Sequence, residues 1–196
     1  MKRSMLAVVL PAVILALVAG CDLFGKKETD FTPHGTTFTF NPSIAVSRVD
    51  GNFSSFNPNG VYQLSLYARS LSGVVEEDTL VAGLFLVAES SSVQHMLFVK
   101  PCAISVGTID TVIALGCFCC NSGRDVPESV DTYDIGPVTD NANLQQIIDI
   151  VRDKDITLGL YTVQEAVWQV TDSGELTQDM INQLNALPPD TSRLTR

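Results

Sequence analysis

The stretch 102–120, CAISVGTIDTVIALGCFCC, carries the pattern that decides the fold. On each side of a short polar segment, residues 108–111, apolar residues alternate with others, which is typical of two strands joined by a turn. If the turn is symmetrical, Cys102 lies opposite Cys117 and the apolar residues of both arms share one face. We therefore expect an antiparallel hairpin here, with Cys119 continuing its buried face.

Stretches before this hairpin have the same two-residue period. The run 62–68 follows the turn signal Asn59-Gly60 and places every second residue on one apolar face. The run 79–89, TLVAGLFLVAE, is apolar almost throughout and predicts one continuous strand. The segment 92–100, SVQHMLFVK, predicts another strand after a serine-rich turn. From residue 36 to about residue 118, the sequence therefore predicts strands and turns.

After Pro127 the period changes from two residues to that of a helix. In residues 143–153, NLQQIIDIVRD, the apolar positions lie on one helical face, and Asp140 or Asn141 is available as the N-cap. The apolar residues of this face are Leu144, Ile147, Ile148 and Val151. A run of strands followed by a run of helices is typical of an α+β domain.

Two more helices are predicted towards the end of the sequence. Thr162 and Glu165 have the spacing of a capping box, which predicts a helix that starts near Val163. Thr177 is the expected cap of the last helix. We therefore expect a single α+β domain over residues 36–187. Its architecture is an antiparallel β-sandwich or barrel-like sheet followed by a small three-helix part, with a flexible tail at the end.

The first twenty residues have the features of an export signal. Two basic residues precede an uncharged apolar run, and residues 17–21, LVAGC, resemble the lipobox of bacterial lipoproteins. This resemblance implies that residues 1–20 are removed and that Cys21 carries a lipid. Residues 21–35 then form a polar tether between the lipid anchor and the domain.

The chain is acidic, with 12 Lys and Arg against 22 Asp and Glu and a net charge of −10. Removal of residues 1–20 takes away two basic residues and no acidic residue, which lowers the net charge to −12. Nucleic acid and anionic lipid surfaces repel such a chain, so we exclude nucleic-acid binding.

The four cysteines of the expected domain allow three interpretations. A zinc site is the first, but Cys117 and Cys120 have no second pair nearby, and His34 and His95 are distant in sequence, so we predict no metal. Disulfides are the second, because export favours pairing and the hairpin register favours a bridge between Cys102 and Cys117. That bridge leaves two thiols so close in sequence that a bond between them is strained.

The third interpretation depends on two motifs. Phe118-Cys119 precedes a polar loop, and residues 163–168, VQEAVW, begin the second predicted helix. They resemble the two signatures of bacterial thioester domains, an aromatic-Cys motif and an apolar-Gln-x-x-apolar-apolar motif. In that family the two side chains condense into an internal thioester and release ammonia. The resemblance implies that Cys119 is the thiol, that Gln164 is the acyl donor and that Trp168 shields the bond.

The predicted geometry supports this chemistry. Gln164 is expected in the first turn of its helix, where unpaired backbone N–H groups would stabilise an oxyanion. The two motifs are 45 residues apart, which is closer than the family resemblance leads us to expect. The neighbouring Cys117 and Cys120 are competing partners for Cys119.

The predicted function is that of an exported, lipid-anchored protein in the periplasm or on the cell surface, with a domain that resembles a thioester domain. Its expected partners are the membrane, through the lipid on Cys21, and a protein surface that offers a lysine amine. It uses no cofactor and is not an enzyme, because the protein itself ends up in the adduct. The alternative is a disulfide-stabilised structural or binding lipoprotein without covalent chemistry.

Overall fold

The computed structural model describes residues 31–52 and 59–191. This part of the chain forms nine β-strands, three α-helices and one π-helical turn. The strands are β1 (Gly35–Thr37), β2 (Ile44–Asn52), β3 (Tyr62–Ser70), β4 (Glu76–Leu80), β5 (Leu84–Ala88), β6 (Met96–Leu97), β7 (Cys102–Val106), β8 (Thr111–Cys119) and β9 (Thr132–Thr139). The helices are α1 (Ala142–Val151), α2 (Leu160–Trp168) and α3 (Gln178–Asn185), and the π-helical turn (Gln169–Ser173) directly follows α2. The predicted α+β class is confirmed.

Six strands close into a barrel. They follow the order β9-β2-β3-β8-β6-β5, and β5 pairs again with β9, which completes the ring. Every pair in the ring is antiparallel. β1 lies beside the last residues of β9 and extends the same sheet. Of the two architectures expected from the sequence, the barrel is therefore the one observed.

Alternate residues of the strands fill the interior of the barrel, as the two-residue period predicts. In β3, the predicted apolar face is confirmed, because Leu64 and Leu66 are fully buried in the interior cluster. In β8, Cys117 and Cys119 belong to this interior cluster. Cys120, just beyond the strand, belongs to a second cluster under the helices. Each strand of the barrel wall thus presents one face to the interior and one to the outside.

The three helices cover part of the outside of the barrel. Their apolar faces pack on outward-facing strand residues such as Phe85 and Phe118, and complete burial of one such large side chain contributes about 1.5–3 kcal/mol. The helical residues of this second cluster are Leu144, Ile147, Val151, Leu160, Val163, Ala166, Val167, Met180 and Leu184. The helical periodicity therefore correctly predicted the buried face of α1, on which Leu144, Ile147 and Val151 are fully buried.

The predicted hairpin between β7 and β8 is wrong. β7 pairs with β4, which puts Cys102 opposite Leu80, whereas β8 pairs with β3, which puts Cys117 opposite Tyr62. β4 and β7 form a separate two-stranded ribbon whose apolar residues, including Ile104, pack into the barrel. The alternation in β7 is thus satisfied by packing on the barrel interior, so it did not require pairing with β8.

Cys119 is the last residue of β8, and we call the end of the barrel at which β8 finishes the thiol end. Leu80, Ile104 and Val106 of the ribbon are buried in the interior cluster.

Two other strand predictions need correction, and one strand was missed. The run 79–89 is divided between β4 and β5 by a turn at Gly83, whose φ of +89° suits glycine. The segment 92–100 contributes only Met96–Leu97 to the barrel. The strand β9 was not predicted, although it pairs with three other strands.

Two of the three predicted helix caps are confirmed. The Asn141 side chain accepts hydrogen bonds from the first turn of α1, and the Thr177 hydroxyl accepts one from Met180 in α3. The prediction for α2 is wrong, because this helix begins at Leu160, directly after Gly159, and Thr162 is inside it. A threonine and a glutamate three residues apart can match the capping-box pattern from inside the first turns of a helix. Here the helix starts earlier, directly after the preceding glycine.

Several predicted features lie outside the described residues, namely the export signal, lipidated Cys21 and most of the tether. The described part of the predicted tether makes tertiary contacts, since the ring of Phe31 packs on Phe85 with their centroids 5.7 Å apart. Beyond residue 187, the Asp190 N–H donates to the carbonyl of Asp153 at 2.9 Å, so ordered contacts continue into the predicted tail. No helix within residues 31–52 and 59–191 is long and apolar enough to cross a membrane.

Candidate functional site

The structure brings together the two residues that the thioester resemblance selected. The Cys119 N–H donates to Gln164 Oε1 at 2.8 Å, and Gln164 Nε2 donates to the Cys119 carbonyl at 2.7 Å. Cys119 is fully buried and Gln164 is 1% exposed. The carboxamide of Gln164 is therefore held in a dry environment against the residue that carries the thiol.

The position at which β3 starts explains why a side chain, and not a strand, pairs with the backbone of Cys119. β3 begins at Tyr62, opposite Cys117, so no residue of β3 lies opposite Cys119. On its other side β8 pairs with the β6 region, where the Cys120 N–H donates to the His95 carbonyl at 2.8 Å. Because backbone groups point to alternate sides along a strand, the N–H and C=O of Cys119 point away from β6. The Gln164 carboxamide pairs with both groups in place of a strand.

The segment after α2 fastens the helix to the loop that follows the cysteines. The Asn121 N–H donates to the Thr171 hydroxyl at 3.2 Å, and the Ser122 N–H donates to an Asp172 carboxylate oxygen at 3.0 Å. Thr171 and Asp172 belong to the π-helical turn, a geometry often found at functional sites. These contacts and those of Gln164 fix α2 to the thiol end of the barrel.

The expected source of oxyanion stabilisation is different in the structure. Gln164 is inside α2 and not in its first turn, and the Val163 N–H already donates to the Gly159 carbonyl at 3.0 Å. Free backbone donors at the helix start therefore do not face the carboxamide. The Cys119 N–H instead donates directly to Gln164 Oε1, the oxygen on which negative charge would develop if a thiol attacked the carboxamide.

The thiols of this region are held in their neutral form. Burial raises the pKa of the Cys119 thiol above its ordinary value. Burial also raises the pKa of Cys117, with further contributions from Cys102, Cys119 and Cys120. For Cys120, burial again raises the pKa most, followed by the charges of Cys119 and Asp172. An uncharged thiol beside a carboxamide avoids the cost of a buried anion, but it must lose its proton during any attack.

Trp168 lies one helical turn after Gln164 and packs against the interior cluster of the barrel. Its Nε1–H donates to Gln94 Oε1 at 3.3 Å. Gln94 is buried, and its Nε2 donates to the Arg124 carbonyl at 2.8 Å. Trp168 is therefore part of the core packing, and the polar edge of its indole has a specific hydrogen-bond partner.

The other cysteines are close to this site but unbridged. Among the described residues, Cys102, Cys117, Cys119 and Cys120 are all free thiols. The predicted pairing of Cys102 with Cys117 by direct strand register is wrong, because the two residues belong to different sheets. Both side chains nevertheless pack in the interior cluster.

The two histidines do not form a metal site with the cysteines. His34 contacts Asp140 near the surface, with Nδ1 and Oδ1 2.5 Å apart. His95 is buried, and its Nδ1 accepts a hydrogen bond from the Ala88 N–H at 3.1 Å. In the part of the chain that the structure describes, no group of three or more candidate ligands could hold a metal ion.

Sequence reasoning missed Gln94 and Tyr62 as neighbours of the site. Burial raises the pKa of Tyr62, and the nearby Cys119 and Tyr161 add to this effect. Gln94 was assigned only to a strand, and a glutamine in an apolar segment gives no signal of its tertiary partner. Tyr62 was recognised as part of an apolar face, but its position opposite Cys117 depends on the pairing of β3 with β8.

Comparisons with protein-family models, with curated proteins and with solved structures found no match for this chain.

Proposed function

We propose that this chain is an exported, lipid-anchored protein whose barrel carries an internal thioester between Cys119 and Gln164 and couples through it to an amine-bearing partner. One observation carries the proposal, namely the pair of hydrogen bonds between the Gln164 carboxamide and the backbone of Cys119. Two side chains that must condense need to be held together, and such positioning supplies much of the lowering of the barrier.

The bond forms by attack of Cys119 Sγ on Gln164 Cδ. The C–N bond of the carboxamide breaks, the thiol proton passes to the departing nitrogen, and ammonia is released. The Cys119 N–H stabilises the negative charge that develops on Gln164 Oε1 during the attack. The Cys119 carbonyl orients the departing nitrogen through its hydrogen bond from Nε2. Burial of both residues then protects the thioester from water.

The thioester reacts with a primary amine of the partner. The amine nitrogen attacks Gln164 Cδ, the bond to Cys119 Sγ breaks, and an amide joins the partner to Gln164. The departing sulfur takes up the proton that the amine loses, because burial raises the pKa of the Cys119 thiol. The protein is consumed in this step, so it acts once and is not a catalyst.

The lipid on Cys21 determines where the reaction with the amine takes place. LVAGC at residues 17–21 supports lipidation, and the ten residues from Cys21 to Phe31 span at most about 35 Å when extended. Phe31 lies near the thiol end, since its carbonyl accepts a hydrogen bond from Asn121 Nδ2 at 3.3 Å. The partner amine is therefore expected close to the anchoring membrane.

Trapping with a small amine tests this proposal. The unreduced protein is incubated with methylamine, digested and mapped by mass spectrometry. We expect methylamine to be joined to Gln164, with one equivalent of free Cys119 thiol appearing at the same rate. Gln145→Ala is the matched control and should leave the reaction intact, whereas Gln164→Ala should abolish it. A wild-type protein without methylamine on Gln164 contradicts the proposal.

A second candidate function is a structural or binding lipoprotein in which the cysteines form only disulfides. The observation that favours it is the common packing of Cys102 and Cys117, whose side chains share the interior cluster. In this case the Gln164 carboxamide only completes the hydrogen bonds of the strand end. Peptide mapping without reduction would then find a bridge between Cys102 and Cys117 and an unmodified Gln164.

A further inference from the structure

The thiol end of the barrel is crossed by one aromatic side chain. Gln164 contacts Cys119 on the side that faces β3, and Gln94 precedes β6 on the other side of Cys119. Trp168 extends from α2 and donates a hydrogen bond to Gln94, so its indole passes from one neighbour of β8 to the other. Trp168 also packs against the interior cluster, so the indole lies beside the part of the core that contains Cys119.

Trp168 also lines a surface cavity of about 350 Å³. Three carboxylates line this cavity, those of Glu165, Asp172 and Asp179. Glu165 and Asp179 are exposed, while the carboxylate of Asp172 accepts hydrogen bonds from Ser122. Trp168 is thus a shared wall between a negatively charged cavity and the barrel interior that contains Cys119.

We propose that Trp168, held by Gln94, is a lid over Cys119 and Gln164, and that primary ammonium groups enter through the acidic cavity beside it. This inference rests on the proposed function and specifies how its substrate arrives. An indole face together with carboxylates attracts an organic cation, and an acidic entrance raises the local concentration of cations. The lid opens when the single hydrogen bond between Trp168 and Gln94 breaks.

A lysine or alkylamine arrives as an ammonium ion, and its nitrogen cannot attack until it loses one proton to solvent water in the cavity. The neutral amine then passes the lid to Gln164. Glu165 is adjacent to Gln164 in α2 and lines the cavity, so it is the carboxylate that holds the ammonium ion beside the lid. Anionic or bulky nucleophiles are excluded by charge and by the indole.

Chemical labelling of Cys119 tests the lid whether or not a thioester is present. Protein in which the thioester has formed, with loss of ammonia, is first treated with methylamine, which breaks the thioester and frees the Cys119 thiol. Protein with a free Cys119 thiol is used directly. The labels are a cationic and an anionic methanethiosulfonate of similar size, each of which forms a mixed disulfide with the thiol and releases a sulfinate. Peptide mapping then gives the labelling rate of Cys119 for each reagent in the native protein.

Wild-type protein should react about tenfold faster with the cationic reagent than with the anionic one. Trp168→Phe keeps an aromatic ring but removes the hydrogen bond to Gln94, so both rates should rise about fivefold with their ratio unchanged. Glu165→Gln should lower the ratio about threefold without raising either rate. Leu158→Ala is the matched control, because Leu158 lies just before α2 and is 85% exposed, and it should change nothing.

Two results would overturn the lid. One is equal labelling by the two reagents in the wild-type protein, and the other is a Trp168→Phe variant that labels at the same rate as Leu158→Ala. Thermal unfolding of each variant confirms that the native state is the one labelled. The methylamine step reports separately on the thioester, so failure of the lid and failure of the proposed function are distinguishable.

Discussion

Two glutamines attach helices to the barrel, and only one of them lies beside a thiol. Gln164 of α2 is buried and makes two hydrogen bonds to the backbone of Cys119. Gln145 of α1 is exposed and makes one, from Nε2 to the carbonyl of Thr139 at 3.0 Å. Gln145 shows that a helical glutamine can complete a strand end without any chemistry. The special feature at Gln164 is therefore the combination of burial, two hydrogen bonds and a neighbouring cysteine.

The largest expected difference between the two sites is in stability. In a Cys119→Ser background, where no thioester can form, Gln164→Leu leaves both the N–H and the C=O of residue 119 buried without partners, so it should lower the free energy of unfolding by about 4 kcal/mol. Gln145→Leu removes one hydrogen bond at the surface and should cost less than about 1 kcal/mol. Urea unfolding of the two variants measures both values. Equal costs would mean that the Gln164 contacts do not hold the strand end.

The pH dependence of stability should also distinguish the thiol end. Burial raises the pKa of Cys117 and Cys120 above that of an unfolded thiol, so the folded state keeps protons that the unfolded state loses. Stability is therefore fully present below the pKa of an unfolded thiol and falls as the pH rises beyond it. Each buried thiol contributes a slope of up to about 1.4 kcal/mol per pH unit.

Urea unfolding at about pH 8, about pH 9 and about pH 10 measures this slope, because ordinary thiols ionise in that range. With Cys117 and Cys120 both free, the loss should approach about 3 kcal/mol over the last unit. Cys120→Ala should roughly halve the slope, whereas Gln145→Leu should not change it. A slope that is unaffected by Cys120→Ala would contradict the protonated, buried state of this thiol.

The smallest expected effect concerns the cap of α1 near Gln145. The Asn141 side chain accepts hydrogen bonds from the N–H groups of Asn143 and Leu144. Asn141→Ala should therefore lower the free energy of unfolding by about 1 kcal/mol. Methylamine should still become joined to Gln164, because α1 does not contact Cys119 through this cap. A variant that loses the methylamine reaction would show that the two helix sites are coupled.

The sequence predicted the class of fold because local periodicity reflects burial directly. The alternation in β3 and the helical spacing of Leu144, Ile147 and Val151 each depend on a face that is buried in the structure. Strand pairing was harder to predict. β7 alternates as a partner of β8 would, but it packs its apolar residues into the barrel from the ribbon with β4. Alternation defines a buried face and does not identify the neighbouring strand.

β9 was missed because its sequence weakens the strand signal. Gly136 and Pro137 interrupt TYDIGPVT, and Pro137 cannot donate a backbone hydrogen bond. The strand is nevertheless held by neighbours on both sides, β5 on one and β1 and β2 on the other. Such support comes from residues distant in sequence, so no local pattern predicts it.

The candidate site was selected by motif resemblance and not by periodicity. Cys119 was predicted on a buried face, but the contact with Gln164 joins residues 45 positions apart. Tertiary packing determines that α2 starts directly after Gly159. It also determines that Gln94 accepts a hydrogen bond from Trp168. The sequence therefore indicated the two principal residues, and the structure added the side chains around them.

The intact mass of the exported protein, denatured without reduction, tests the central claim most directly. We expect the wild-type protein and Gln145→Ala to be lighter, by the mass of one ammonia, than their sequences require after removal of residues 1–20 and addition of the lipid on Cys21. Gln164→Ala and Cys119→Ser should show no such deficit. A wild-type mass that is complete, or that lacks only the hydrogens lost in disulfides, would contradict a bond between Cys119 and Gln164.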